Sequence, residues 1–171
     1  PDEELLPQGA EPSADGEDLL GEQPGDRGTP RVELADIRFA SDSRGRGWGV
    51  ARIALVPRER QVRIRLPEGM RLFELFVDGH PLVGRPIDET VWELEQLDTS
   101  RPRTLLAIFA GDLGDTLASG MPLEISPPEL VDVQTRQVVW TLRGPANVQL
   151  GVMPPARPAT AEEVAEIRRQ A

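Results

Sequence analysis

Apolar and polar residues alternate in short runs between positions 31 and 150, and each run is closed by Pro, Gly or Asp. A period of two is the mark of a strand with one buried face. Val62-Arg63-Ile64-Arg65-Leu66 is the cleanest example, with Arg63 and Arg65 on the polar side. Positions 49–55 and Trp92-Glu93-Leu94 alternate in the same way, and 105–110 is apolar on both faces, which predicts a central strand. Val32-Glu33-Leu34 and Ile37-Arg38-Phe39 alternate out of phase, so a bulge is predicted between Ala35 and Asp36. After a run at 72–77, Asp78-Gly79 has the chemistry of a tight hairpin turn. Pro81 then confines the return strand to an edge or to its own first position. Shorter runs follow at 121–125, 130–133, 138–142 and 148–150.

Roughly eight to ten strands result, with no helical period between them. Without crossover helices a parallel sheet is not expected. The pattern predicts an all-β fold, an antiparallel β-sandwich of Ig-like or jelly-roll-like form, with a closed β-barrel as the alternative. Four parts are expected: an acidic disordered leader over 1–30, the sandwich over 31–150, a Pro-rich linker over 151–159 and a helix over 160–171. The helix is announced by Thr160-Ala161-Glu162-Glu163, a capping box, with Arg168 and Arg169 suited to its C-terminal end.

Charge sharpens the first boundary. The 171 residues carry a formal net charge of −10. Residues 1–30 hold nine acids against Arg27, a net of −8, and the remainder holds 20 acids against 18 Arg. The leader is therefore too charged and too poor in bulky apolar residues to order itself, except around Leu5-Leu6 and Leu19-Leu20. Each leucine pair is either linker composition or a short motif that docks on a partner. A nearly neutral body gives nucleic acid no basic surface to bind. No apolar run is long enough to insert into a membrane. The absence of cysteine removes disulfides, thiolate metal sites and cysteine nucleophiles.

Little chemistry stands out from the strand pattern. His80 is the only histidine and reads as a solvated turn residue. Asp112 and Asp115, in Ala110-Gly111-Asp112-Leu113-Gly114-Asp115, are the candidates for a calcium loop, though the spacing is not that of an EF-hand. Glu93 and Glu95 share a strand face as a glycosidase pair does, but alternation on an exposed face accounts for them. Arg44-Gly45-Arg46-Gly47-Trp48-Gly49 reads as a flexible hairpin loop. It leaves Trp48 as the one candidate ligand platform, because Trp92 and Trp140 fall in phase with apolar neighbours and are predicted core. No cofactor is expected.

Four pieces of the chain carry a resemblance: Leu66-Pro67-Glu68-Gly69, then Phe76-Val77-Asp78-Gly79-His80-Pro81-Leu82, then Trp92-Glu93-Leu94, then Val139-Trp140-Thr141-Leu142 before Gly144-Pro145. Together they resemble β-sandwich modules of large exported, membrane-anchored proteins of planctomycete-type, GC-rich bacteria. The resemblance covers about half the chain. It implies a non-catalytic module of a longer polypeptide in the cell envelope or periplasm, and no active-site residue comes with it. The expected function is a structural or protein-interaction module, whose partner is another protein or a neighbouring domain. A carbohydrate-binding module and a carboxylate-dependent hydrolase are the alternatives.

Overall fold

A computed structural model describes residues 29–95, 97–113, 125–145 and 157–170. Residues 1–28 of the expected leader, the runs at 121–124 and 148–150, and most of the linker lie outside the described residues. Eleven strands are described: β1 (Arg31–Ser41), β2 (Arg46–Val56), β3 (Val62–Arg65), β4 (Met70–Val77), β5 (His80–Pro81), β6 (Arg85–Pro86), β7 (Val91–Leu94), β8 (Arg103–Asp112), β9 (Glu129–Leu130), β10 (Gln134–Thr135) and β11 (Val138–Arg143). One helix, α1 (Ala161–Gln170), follows.

The strands form two open sheets rather than a closed barrel. The larger runs β10-β1-β2-β8-β4-β5, with β11 also on β1, and the smaller runs β6-β7-β3-β9. Both sheets feed one core. Ile37, Ile53, Leu105 and Phe109 of the larger sheet share it with Val62, Ile64, Leu94 and Leu130 of the smaller. β8 is interior to its sheet, as its apolar composition predicts, and the Phe39 and Phe109 rings stack in the core with centroids 6.2 Å apart.

The hairpin forms where Asp78-Gly79 places it. Both residues take positive φ, 51° and 81°, and Pro81 sits in the two-residue edge strand β5. The capping box of α1 also forms. The Thr160 amide donates to Glu163 Oε2 at 2.8 Å, and the Glu163 amide donates to Thr160 Oγ1 at 3.2 Å.

Four expectations are corrected. First, β10 and β11 pair with β1 in parallel. No local crossover is required, because nearly the whole domain lies between the paired strands. Second, the register of β1 shifts between Val32 and Leu34, not between Ala35 and Asp36. Leu34 is buried yet lies outside the central core, so its apolar character belongs to the other side of the sheet. Third, the Arg44–Gly49 stretch is mostly strand, since β2 begins at Arg46. A Cβ on Gly47 would lie 2.6 Å from Phe39 Cζ, and one on Gly49 would lie 2.4 Å from Phe109 Cζ. These two glycines make room for core rings instead of loosening a loop. Fourth, only Leu130 of the run at 130–133 is strand, at the end of β9, because Asp132 turns the chain with φ 61°.

Candidate interaction face

The registers of β1, β2, β8 and β4 stack their residues in rows that alternate between the two sides of the larger sheet. Phe39, Gly49, Phe109 and Leu72 form one inward row, and Ile37, Ala51, Ala107 and Leu75 the next. The rows between them face away from the core. Ala40, Trp48, Ala110 and Arg71 make the first, followed by Arg38, Val50, Ile108 and Glu74, then by Asp36, Arg52, Leu106 and Phe76. This outer side is unusually apolar for a solvated face. Trp48 is 51% exposed and Val50 is also exposed, while Leu106, Ile108 and Phe76 are half-buried among their neighbours.

Phe73 is a further exposed aromatic in the same sheet. The β4–β8 register shifts between Leu72 and Glu74, and the extra residue at this bulge is Phe73, 69% exposed. Its signal in the sequence is the run Leu72-Phe73-Glu74-Leu75-Phe76, which breaks strict alternation, but the break gives no direction to the ring.

Charge is arranged around the apolar residues. Arg52 and Arg71 form no ion pair with any described residue. Arg38 approaches Asp36 only to 3.9 Å, and that carboxylate is already gripped by the Arg168 fork at 2.9 and 2.7 Å. The Arg168 contact holds α1 at one end of the outer side, where Leu34 and Val139 are buried outside the central core. Trp48 and Phe73 remain exposed.

The other candidate residues are scattered. Asp112 is the last residue of β8, its amide donating to Gly69 O at 3.2 Å, and Asp115 lies outside the described residues. No group of three or more His, Asp or Glu suited to a metal is found among the described residues. His80 is exposed at the edge, opposite Val77. Trp92 and Trp140 are partly buried against the core, as predicted, with no hydrogen-bond partner for either indole N–H.

Glu93 departs from expectation: it is buried, and Arg85 from the neighbouring strand β6 bonds it and reaches Glu95 at 3.7 Å. One guanidinium thus ties both members of the suspected carboxylate pair. Glu95 also borders an open groove of about 660 Å³ with Arg60 and Asp98. Asp98 there is bonded by the buried Arg103.

Asp78 shows how the hairpin is fastened. Its carboxylate accepts the Thr104 amide at 2.9 Å, Arg103 at 2.7 Å and Arg101 at 3.3 Å. The Thr104 amide first, and then the Arg103 guanidinium, hold its pKa below the usual carboxylate value.

No family model matches the chain, and no curated protein matches it. Among solved structures it is similar in part to an M1 zinc metallopeptidase from Deinococcus radiodurans, at 18% identity and a TM-score of 0.43, over 55% of this chain and 23% of that one. It is likewise similar to Legionella pneumophila aminopeptidase A (13% identity, TM-score 0.40, 48% of this chain and 10% of that one). Yeast LTA4 hydrolase is a third (12%, 0.40, 47% and 14%). The chain spans less than a quarter of each of these proteins, and the likeness carries nothing about activity. No described helix is long and apolar enough to cross a membrane.

Proposed function

We propose that this chain is a non-catalytic contact module, a β-sandwich of Ig-like or jelly-roll-like form. It serves a larger bacterial envelope protein by holding another protein or a neighbouring domain against the outer side of its larger sheet. The observation that carries the reading is Trp48, exposed in an outer row of a sheet whose inner side packs into the core, with a second exposed aromatic, Phe73, at the bulge of the same sheet. An apolar patch rimmed by charge is what protein-contact surfaces present. The envelope setting is supported by the resemblance of the strand motifs alone.

The test is a photo-crosslinking amino acid placed at Phe73, with Arg63 on the smaller sheet as control, in cells that make the full polypeptide. Adducts to a defined protein or domain from position 73 and not from position 63 are expected. Equal adducts from both positions, or none, would sink the reading.

A second reading rests on the same aromatics, since a flat aromatic face also stacks on sugar rings. It predicts glycan binding that disappears in Trp48→Ala; a glycan array silent for the unmodified chain removes it.

A further inference from the structure

We infer that the free edge of β11 is a self-association edge, at which a second copy of this chain adds its own β11 in antiparallel register and joins two larger sheets into one. This edge is separate from the outer side of the sheet. Three observations carry the inference.

The first is that, among the described edges, β11 is the least defended. An unpaired strand edge is a template for another chain, and short length, charge, proline and bulges are the usual protections. β5, β6, β9 and β10 are two residues each, with Pro81 in β5, Arg85 and Pro86 in β6, and Glu129 in β9. The stretch of β4 not covered by β5 carries Arg71, Glu74 and the bulge at Phe73. β11 pairs with β1 and with no other described strand. It is six residues long, and Val138-Val139-Trp140-Thr141-Leu142 has no charge, no proline and no register shift against β1.

The second is the direction of its backbone groups. In a parallel ladder, alternate residues face the partner strand. Ala35, aligned with Val138, donates its amide to Gln137 O at 2.9 Å. That register turns the N–H and C=O of Val139, Thr141 and Arg143 toward β1, and those of Val138, Trp140 and Leu142 toward the open edge. None of these outward groups is bonded to a described residue.

The third is self-complementarity. Antiparallel strands exchange two bonds across each hydrogen-bonded pair, and opposed residues lie on the same side of the sheet. A two-fold axis through Trp140, perpendicular to the sheet, meets both conditions at once. It sets Val138 opposite Leu142 of the second copy and Trp140 opposite its own counterpart, so the outward groups of the two copies meet in about six bonds. Val138, Trp140 and Leu142 stand in the inward rows of Ala35, Ile37 and Phe39, so these opposed pairs are apolar. Val138, 50% exposed in the single chain, gains cover. Arg143 falls opposite Gln137, and Arg136 opposite Gly144, so no like charges are opposed.

The experiment follows the molar mass of the full chain by sedimentation equilibrium up to millimolar concentration. The mass should rise from 18.8 kDa to about twice that value. Val138→Pro removes one edge donor from each copy at the first position of the strand, where proline is tolerated, and should raise the dissociation constant about tenfold. Val138→Lys puts a charge into the pairing and should act in the same direction. Val83→Lys, at a 91% exposed site beside β5 on the opposite edge, should leave association unchanged. Register is read by disulfides, since the chain has no cysteine of its own. A Gln137→Cys chain mixed with an Arg143→Cys chain should cross-link under mild oxidation several-fold faster than either alone, because identical positions lie about 20 Å apart in this register. A chain that stays at 18.8 kDa overturns the inference. So does a dimer that both Val138 variants leave intact, or cross-linking no faster in the mixture than in its components, because association then runs through another surface.

Discussion

Gly49 concentrates the logic of this sheet in one residue. It stands between Phe39 and Phe109 in an inward row, and it has no side chain because the Phe109 ring fills that space. Gly49→Ala should therefore destabilise the fold by about 1–3 kcal/mol through overpacking, measured by urea unfolding. A neutral or stabilising result would mean that the ring moves freely aside. Glycine has two opposite uses in this chain, and composition alone does not separate them. Gly79 supplies positive φ in a turn, whereas Gly47 and Gly49 supply volume to a core. Reading Arg44–Gly49 as a loop followed from treating every glycine as the first kind. Trp48 escapes that error, because its exposure follows from its place between two inward glycines whichever way the segment is described. Phe73 was not legible, since a bulge's direction depends on the partner strand.

At the scale of elements, alternation located β2, β3, β4, β7 and β8 well, because each presents one side to the core. It failed where burial comes from something other than the core. Leu34 and Val139 are buried on the outer side, at the end where Arg168 of α1 grips Asp36, and Glu93 is covered by Arg85. Such burial is set by residues more than a hundred positions away, or by a two-residue strand with no pattern of its own. The β4–β5 hairpin is different, being written locally in Asp78-Gly79 and then fastened to the start of β8 by the Asp78 carboxylate. The folded pKa of that carboxylate lies below its ordinary value of 3.8. Its contribution to stability is therefore complete above that value. It is lost as pH falls through the lower folded pKa, because the unfolded chain takes up the proton first. Urea unfolding followed down from pH 5 should show a steeper acid loss of stability in the unmodified chain than in Asp78→Asn. Parallel curves would show that the carboxylate does not fasten the hairpin.

The whole molecule is a division of labour between the two sides of one sheet. The inner side, with the smaller sheet, makes the core, and among the described residues α1 is fastened to the outer side at one end, by Arg168 on Asp36. The two-layer arrangement was legible from periodicity because alternating strands without helices have few ways to bury their apolar sides. The parallel pairing of β10 and β11 with β1 was not, because it joins the two ends of the domain and leaves no local trace. The site was half legible. The sequence singled out Trp48, but the patch exists only once four strands align their outer rows.

The measurement that bears most directly on this division is thermal unfolding of the full chain carrying Trp48→Ser and Phe73→Ser, beside Phe109→Ala in the same sheet. With both aromatics exposed, the double variant should melt within about 2 °C of the unmodified chain, while Phe109→Ala should fall by about 10 °C or more. A double variant that melts as low as Phe109→Ala would mean that these aromatics hold the fold together and are not held out for a partner.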